Sequence, residues 1–216
     1  MDKYNSFHIL TEVHGSYIIQ ESKKSKPSPL LIGFHGYGET CENQMKLLQK
    51  FPGIEDWTVC SIQALHPFYN TRAKIGYSWM TSQNRELHIK ENVEYVISVI
   101  SEIKNSHQVN DTIVYHGFSQ GTAMACRAAL LGKFISSGVI LLGGDIPPEF
   151  DQVDKMNRLL LARGKRDKFY SSVRWKNDVK QAQKSEVEFY ICEFNGGHGG
   201  HKDYLKAVGE FLKHYI

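Results

Sequence analysis

Between Asp111 and Lys133 the chain reads DTIVYHGFSQGTAMACRAALLGK, an apolar run that passes into a helical pattern through one serine set between two glycines. Ile113, Val114 and Tyr115 are β-branched or aromatic and predict a strand. From Gln120 to Leu131, Ala, Met, Leu and Arg dominate, which predicts a helix. A strand joined this directly to a helix needs a sharp turn, and the junction residue takes a conformation strained for anything but glycine. Gly117 and Gly121, two positions either side of Ser119, remove the Cβ atoms that would collide there. A polar residue held on such a turn stands exposed above the end of a strand, which is where the motif G-x-S-x-G places a nucleophile.

The rest of the chain repeats the alternation. PLLIGF is a buried strand running into the glycine-rich HGYGE. TCENQMKLLQKF reads as a helix with Thr40 as N-cap and Met45, Leu48 and Phe51 at helical spacing. DWTVCSIQ is a strand, ENVEYVISVISEI an amphipathic helix, and SGVILLGG and RLLLARG are strands. SSVRWKNDVKQAQK is a helix, VEFYICEF a strand and YLKAVGEFLKHYI a closing helix. FHILTEVHGSYIIQES reads as an N-terminal hairpin turning at His14-Gly15. Strands alternating with helices predict an α/β fold with a mostly parallel central sheet and helices on both faces. At 216 residues the chain suits a single domain over 1–216, without room for a large cap domain.

Composition narrows the function classes. A formal net charge of +3 is mild, and the one basic cluster, Lys23-Lys24-Ser25-Lys26, lies in a Ser/Pro-rich loop. No basic stripe with interleaved aromatics predicts a nucleic-acid partner. MDKYNSFHIL holds no apolar segment of signal-peptide length, and no run approaches the ~20 apolar residues that span a bilayer. The four cysteines (Cys41, Cys60, Cys126 and Cys192) are widely spaced, which predicts free thiols in a reducing, cytoplasmic setting.

In such sheets ligands bind beyond the carboxyl ends of the strands. The segments HGYGE, HGFSQG, LLGGDIPP, ARGKRDKF and FNGGHGGH all follow strand ends, so five loops converge on one face. A serine hydroxyl needs a base to take its proton, and histidine suits that role near neutral pH. His198 and His201 share the last glycine-rich loop and compete for it. His35 and His116 orient loops or fill the wall of the site. A carboxylate must hold the imidazole in its productive tautomer. Asp145 and Asp167 both follow strands and both satisfy the order nucleophile, acid, histidine. An oxyanion needs preorganised donors. The N–H of Gln120, after the serine, is one; Gly36 and Gly38 let the N–H of Tyr37 supply another. His198, His201, His35 and Asp203 do not follow zinc-motif spacing, and no metal or other cofactor is expected.

Taken together, these residues resemble the phospholipase/carboxylesterase family of α/β-hydrolases, which includes acyl-protein thioesterases and small bacterial carboxylesterases. HGYGE is similar to the family's His-Gly-x-Gly-Asp oxyanion loop, and GFSQG to its elbow, with the Phe and Gln included. RGKRD resembles its Gly-x-x-Asp motif, and GGHGG its Gly-His. The resemblance implies the α/β-hydrolase fold, Ser119 as nucleophile, Asp167 rather than Asp145 as acid, and His198 rather than His201 as base. It implies Tyr37 and Gln120 as oxyanion donors. Three positions depart from the pattern. Thr122 replaces a common glycine, no acidic residue follows the Ser-Trp segment at Trp79, and Lys-Phe-Tyr follows Asp167 in place of Val-Pro.

The expected activity is hydrolysis of a small-molecule ester or thioester, with acylated proteins or lipids as further substrates. Phe68, Tyr69, Tyr77, Trp79, Met80, Ile146 and Phe169 are the expected acyl-pocket residues. Dienelactone-type or peptidase chemistry on the same fold, or a silent receptor using the same pocket, are the alternative readings.

Overall fold

A computed structural model describes residues 5–24, 26–71 and 73–216, so the Ser25 of the basic cluster and the first four residues of the opening segment lie outside the described residues. Seven strands form the main sheet: β1 (Tyr17–Gln20), β2 (Ser28–Phe34), β3 (Thr58–Ile62), β6 (Val109–Phe118), β7 (Gly138–Leu142), β8 (Arg158–Gly164) and β9 (Glu188–Phe194). Their order is β1-β3-β2-β6-β7-β8-β9, with β4 (His66–Tyr69) and β5 (Ile75–Ser78) pairing separately. Every pairing in the main sheet is parallel except that of the edge strand β1 with β3.

Alternation within each strand feeds two cores. Leu30, Ile32 and Phe34 of β2 enter one cluster, with Val96, Val99 and Ile100 of α2 (Arg85–Ser106), Met124 and Ala128 of α3 (Gln120–Leu131), and Trp175 of α4 (Ser172–Lys184). Leu31 of the same strand enters the other, with Met45 and Leu48 of α1 (Cys41–Leu48) and Tyr204, Val208 and Phe211 of α5 (Lys202–Lys213). Helices therefore cover both faces, and β2, β3 and β7 are buried along their whole length, as a parallel sheet requires. Thr40 caps α1 as expected, its hydroxyl accepting from the Asn43 N–H in a reciprocal capping box.

The expected N-terminal hairpin does not form. Only its second half, β1, is a strand; residues 5–16 have no strand and expose Phe7, Ile9 and Leu10. The buried strand β3 offers β1 a partner of matching length, and pairing there lets Tyr17 and Ile19 pack against the core. An isolated two-stranded hairpin offers no comparable burial. Ser16 is fixed instead from the neighbouring elements, its carbonyl accepting from the Gln63 N–H and the Tyr95 hydroxyl. The β4–β5 hairpin, for its part, carries no signal that the sequence reading used.

The chain runs from β2 outward to β3, then returns to β6 on the other side of β2. The loops after β2 and β6 thus diverge from adjacent strands, forming the crevice where open α/β sheets bind ligands. Tyr37 and Ser119 lie on those two loops.

Candidate active site

Ser119 sits at φ 53°, ψ −118°, a strained conformation for a side chain-bearing residue, with its N–H donating to Leu142 O at 2.9 Å. The glycines beside it are required by contact. A Cβ on Gly117 would lie 2.4 Å from Gly121 O, and one on Gly121 would lie 2.1 Å from Phe34 O. Close approach of α3 to the ends of β2 and β6 is therefore what the motif's glycines permit. Thr122 fits where the family pattern has glycine because Gly144 leaves it room. Its hydroxyl donates to Ser119 O at 2.7 Å and is 3.3 Å from Asp145 O, tying the elbow to the loop after β7.

His198 and Asp167 meet across the loops after β9 and β8. His198 Nδ1 is 2.8 Å from Asp167 Oδ2, and the carboxylate is fully buried. The other oxygen, Oδ1, accepts the N–H groups of Phe169 and Tyr170 at 2.8 and 3.0 Å. The imidazole lies between the rings of Phe118 and Phe169, each 4.9 Å away by centroid. Gly143, at φ +65°, passes close beneath: a Cβ there would lie 3.2 Å from the His198 ring and 3.3 Å from Asp167 Oδ2. Among the described residues Ser119 Oγ makes no hydrogen bond, so the serine and the His198–Asp167 pair share the crevice without being joined.

The competing residues go elsewhere. His201 caps α5, its Nδ1 accepting from the Asp203 N–H, and its ring stacks on Phe194. Asp145 is half-exposed, with Arg174 3.7 Å away. His35 and His116 are both fully buried. Burial lowers the pKa of His35, and pushes that of His116 down to about 3. Both rings are therefore neutral near physiological pH. No group of three or more His, Cys, Asp or Glu side chains placed to hold a metal occurs among the described residues.

His35 organises the loop after β2. Its Nε2 accepts from the Ala64 N–H at 3.1 Å, so the proton is on Nδ1, which donates to Gly36 O at 2.8 Å. Because the peptide is planar and trans, holding Gly36 O on that side turns the Tyr37 N–H the opposite way. Glu39 closes the same turn, accepting the Gly36 N–H at 3.0 Å, and burial raises its pKa. Residues Glu39 and Tyr77 bridge this loop to β5. Among the described residues neither the Tyr37 N–H nor the Gln120 N–H donates to a backbone or side-chain group of the protein.

The expected pocket residues divide in two. Phe68, Tyr77 and Met80 are partly buried, and Tyr37 stacks on Phe68 at 4.8 Å. Tyr69 and Phe169 are about three-quarters exposed. Trp79 is not on a substrate-facing surface. It is completely buried against Phe34 and His35, and its indole N–H donates to His35 O. Ile146 is likewise buried. Missed in the sequence was the side chain of Gln120, which accepts from Trp79 N–H and donates to Met80 O. It fastens the elbow to the segment after β5. Also missed was Arg127, buried on α3 and paired with Glu149, which Arg85 holds as well. A long-range partner leaves no local trace, so neither role had a sequence signal.

Comparisons with known proteins give the family and the fold. The phospholipase/carboxylesterase family model matches residues 16–216. The chain belongs to that family. Its fold is the α/β-hydrolase fold, shared with a Bacillus cereus carboxylesterase (TM-score 0.74, 16% identity, 94% of this chain and 95% of that one). The Zea mays acyl-protein thioesterase 2 matches with TM-score 0.70 at 17% identity, over 93% of this chain and 99% of that one. The esterase PE8 matches with TM-score 0.73 at 17% identity, over 94% and 100%. No curated protein matches. No helix among the described residues is long and apolar enough to cross a membrane.

Proposed function

We propose that this member of the phospholipase/carboxylesterase family is a serine hydrolase of carboxylic esters or thioesters. Ser119 Oγ attacks the acyl carbon while its proton passes to His198 Nε2. Asp167 holds the ring with Nδ1 protonated and stabilises the imidazolium. The N–H groups of Tyr37 and Gln120 receive the oxyanion, each donor of this kind being worth roughly 10²–10³ in rate. Collapse of the tetrahedral intermediate breaks the bond to the alcohol or thiol, which leaves with the proton from His198. Water then attacks the acyl-enzyme by the same route in reverse roles and frees Ser119.

The observation that carries the reading is the His198–Asp167 contact of 2.8 Å, which joins one histidine and one acid among the rivals the chain order allowed. The strained serine at the end of β6 and two N–H groups without protein acceptors support it. The open linkage between Ser119 and His198 is compatible with catalysis, since such contacts tighten in the substrate complex. A fluorophosphonate should label Ser119 alone, as mapped by mass spectrometry, and Ser119→Ala should abolish labelling and lower kcat by about 10⁴–10⁶. Labelling at another serine overturns the assignment; absence of labelling favours the silent receptor.

A further inference from the structure

The two N–H groups proposed for the oxyanion lie on separate pieces of chain, Tyr37 after β2 and Gln120 at the start of α3. Their spacing decides whether one oxygen can receive both. Parallel pairing of β2 with β6 joins the roots of these pieces, at Phe34 and Gly117, and ends there. Beyond that point residues 76–80, running from β5 into the segment after it, contact both sides.

On the Tyr37 side the Gly38 N–H donates to Tyr77 O at 2.9 Å, and the Tyr77 N–H donates to Glu39 O at 3.2 Å. The Trp79 indole donates to His35 O at 2.9 Å, so the contacts fall on both sides of Tyr37. The approach is as close as backbone allows: a Cβ on Gly76 would lie 2.6 Å from Gly38 O and 2.9 Å from its C and Cα. On the other side, Gln120 Oε1 accepts the Trp79 N–H at 3.0 Å and Gln120 Nε2 donates to Met80 O at 2.9 Å. Fully buried Asn92 anchors the segment to α2 by donating to Trp79 O at 2.8 Å. The loop held in this way passes against the serine, since a Cβ on Gly36 would lie 3.3 Å from Ser119 Cβ.

Resting on the hydrolase reading above, we infer that residues 76–80 are a splint that fixes the spacing of the two oxyanion donors, and that Gly76 is a positioning residue for the reaction. The absent side chain lets Gly38, and Tyr37 with it, settle against β5. A methyl group there meets backbone atoms of Gly38 that cannot rotate away, so the loop itself must shift. A misplacement of about 1 Å costs on the order of 10² in rate. The loss falls on the transition state, because these donors meet a full oxyanion only there.

The test is Gly76→Ala, read with p-nitrophenyl butyrate and with propyl trifluoromethyl ketone. Ser119 Oγ adds to the ketone's carbonyl carbon, its proton goes to His198, and the carbonyl oxygen becomes an oxyanion in the same place. Rates are taken per serine labelled by fluorophosphonate, which removes any unfolded fraction. For Gly76→Ala, kcat should fall about 100-fold with KM changed less than about threefold, and the ketone Ki should rise in proportion to the loss of kcat/KM. Where the ester is not turned over, protection of Ser119 from labelling reads the same Ki. A role in folding alone lowers the labelled fraction and leaves kcat and Ki unchanged, which overturns the inference. A loss carried by KM with Ki unmoved also overturns it, because it places the segment at the substrate instead. Should Gly76→Ala not fold, Gln120→Met decides the matter, since it keeps the Gln120 N–H and removes both side-chain contacts with the splint. It should lower kcat about tenfold or more at constant KM, with a matching rise in Ki, and an unchanged kcat overturns the splint. A wild type that is neither active nor labelled at Ser119 overturns the hydrolase reading itself.

Discussion

The loops after β7 and β8 begin at the ends of neighbouring parallel strands, and each presents an aspartate within a few residues, yet they are held in opposite ways. The loop after β8 is fixed from within. Asp167 turns back to accept the Phe169 and Tyr170 N–H groups, and the oxygen left over meets His198. The loop after β7 is fixed from outside, by Arg127 and Arg85 on two helices gripping Glu149, while Asp145 remains half-exposed near Arg174. An aspartate becomes suited to orient a histidine when backbone amides immobilise it and burial removes competing water. Position after a strand does not provide either. The two loops meet near Asp178 of α4, which accepts from the Tyr170 hydroxyl on one side and lies by the Ile146 backbone on the other.

The sharpest way to break this contrast is to neutralise each acid in turn. Asp167→Asn keeps the shape but favours the wrong imidazole tautomer, and should lower kcat by about 10⁴ with little effect on folding. Asp145→Asn should change kcat less than about tenfold, below ~1.4 kcal/mol in the barrier. Steady-state kinetics on any turned-over ester reads both, and the reverse ranking would mean that the loop after β7 supplies the acid.

The external clamp should show itself in stability before rate. Arg127 is 3% exposed, and replacing it by Met leaves Glu149 without its buried partner. Removing one member of a buried pair typically costs about 3–5 kcal/mol; because Arg85 still reaches Glu149, the lower end is expected here. Chemical denaturation measures this directly. A loss no larger than that of a surface substitution would show that the loop after β7 is held by its apolar contacts instead.

The smallest effect concerns the shared anchor. Burial is the main cause raising the Asp178 carboxyl from its ordinary 3.8 to about 6, with the charge of Asp145 adding to it. The folded state thus binds this proton more tightly than the unfolded chain, so stability is greatest below about pH 4. It is lost as the pH rises toward 6, by at most about 3 kcal/mol. Asp178→Asn keeps an acceptor for Tyr170 but removes the titration. The stability of the wild type relative to Asp178→Asn should therefore increase as the pH is lowered from about 7.5 to about 4.5, in paired denaturant titrations. A pH-independent difference would mean that the carboxyl is not desolvated where α4 joins the two loops.

Much of the site was legible because its strongest signals are local. The elbow follows from strand and helix preferences on either side of Ser119 and from two glycines at fixed distance. The N-cap of α1 follows from Thr40 and the residues just after it. The alternating elements predicted the parallel sheet, and with it the convergence of five loops. The opening hairpin failed on the same terms, since local alternation in residues 7–22 could not reveal that β3 would be the better partner for β1. Trp79 reads as an aromatic beside the site, but its depth depends on Phe34 and on the carbonyl of His35, more than forty positions away by hydrogen bond.

The sequence by itself determined where a serine stands on a sharp strand-to-helix turn, which loops surround it and which few acids and histidines lie on them, because those follow from backbone preferences over a few residues. Only the tertiary structure decided among them. The pairing of His198 with Asp167, the diversion of His201 to a helix cap and the burial of Trp79 all depend on hydrogen bonds and packing. Those are set by groups far apart in the chain, and no local pattern encodes which of them meet.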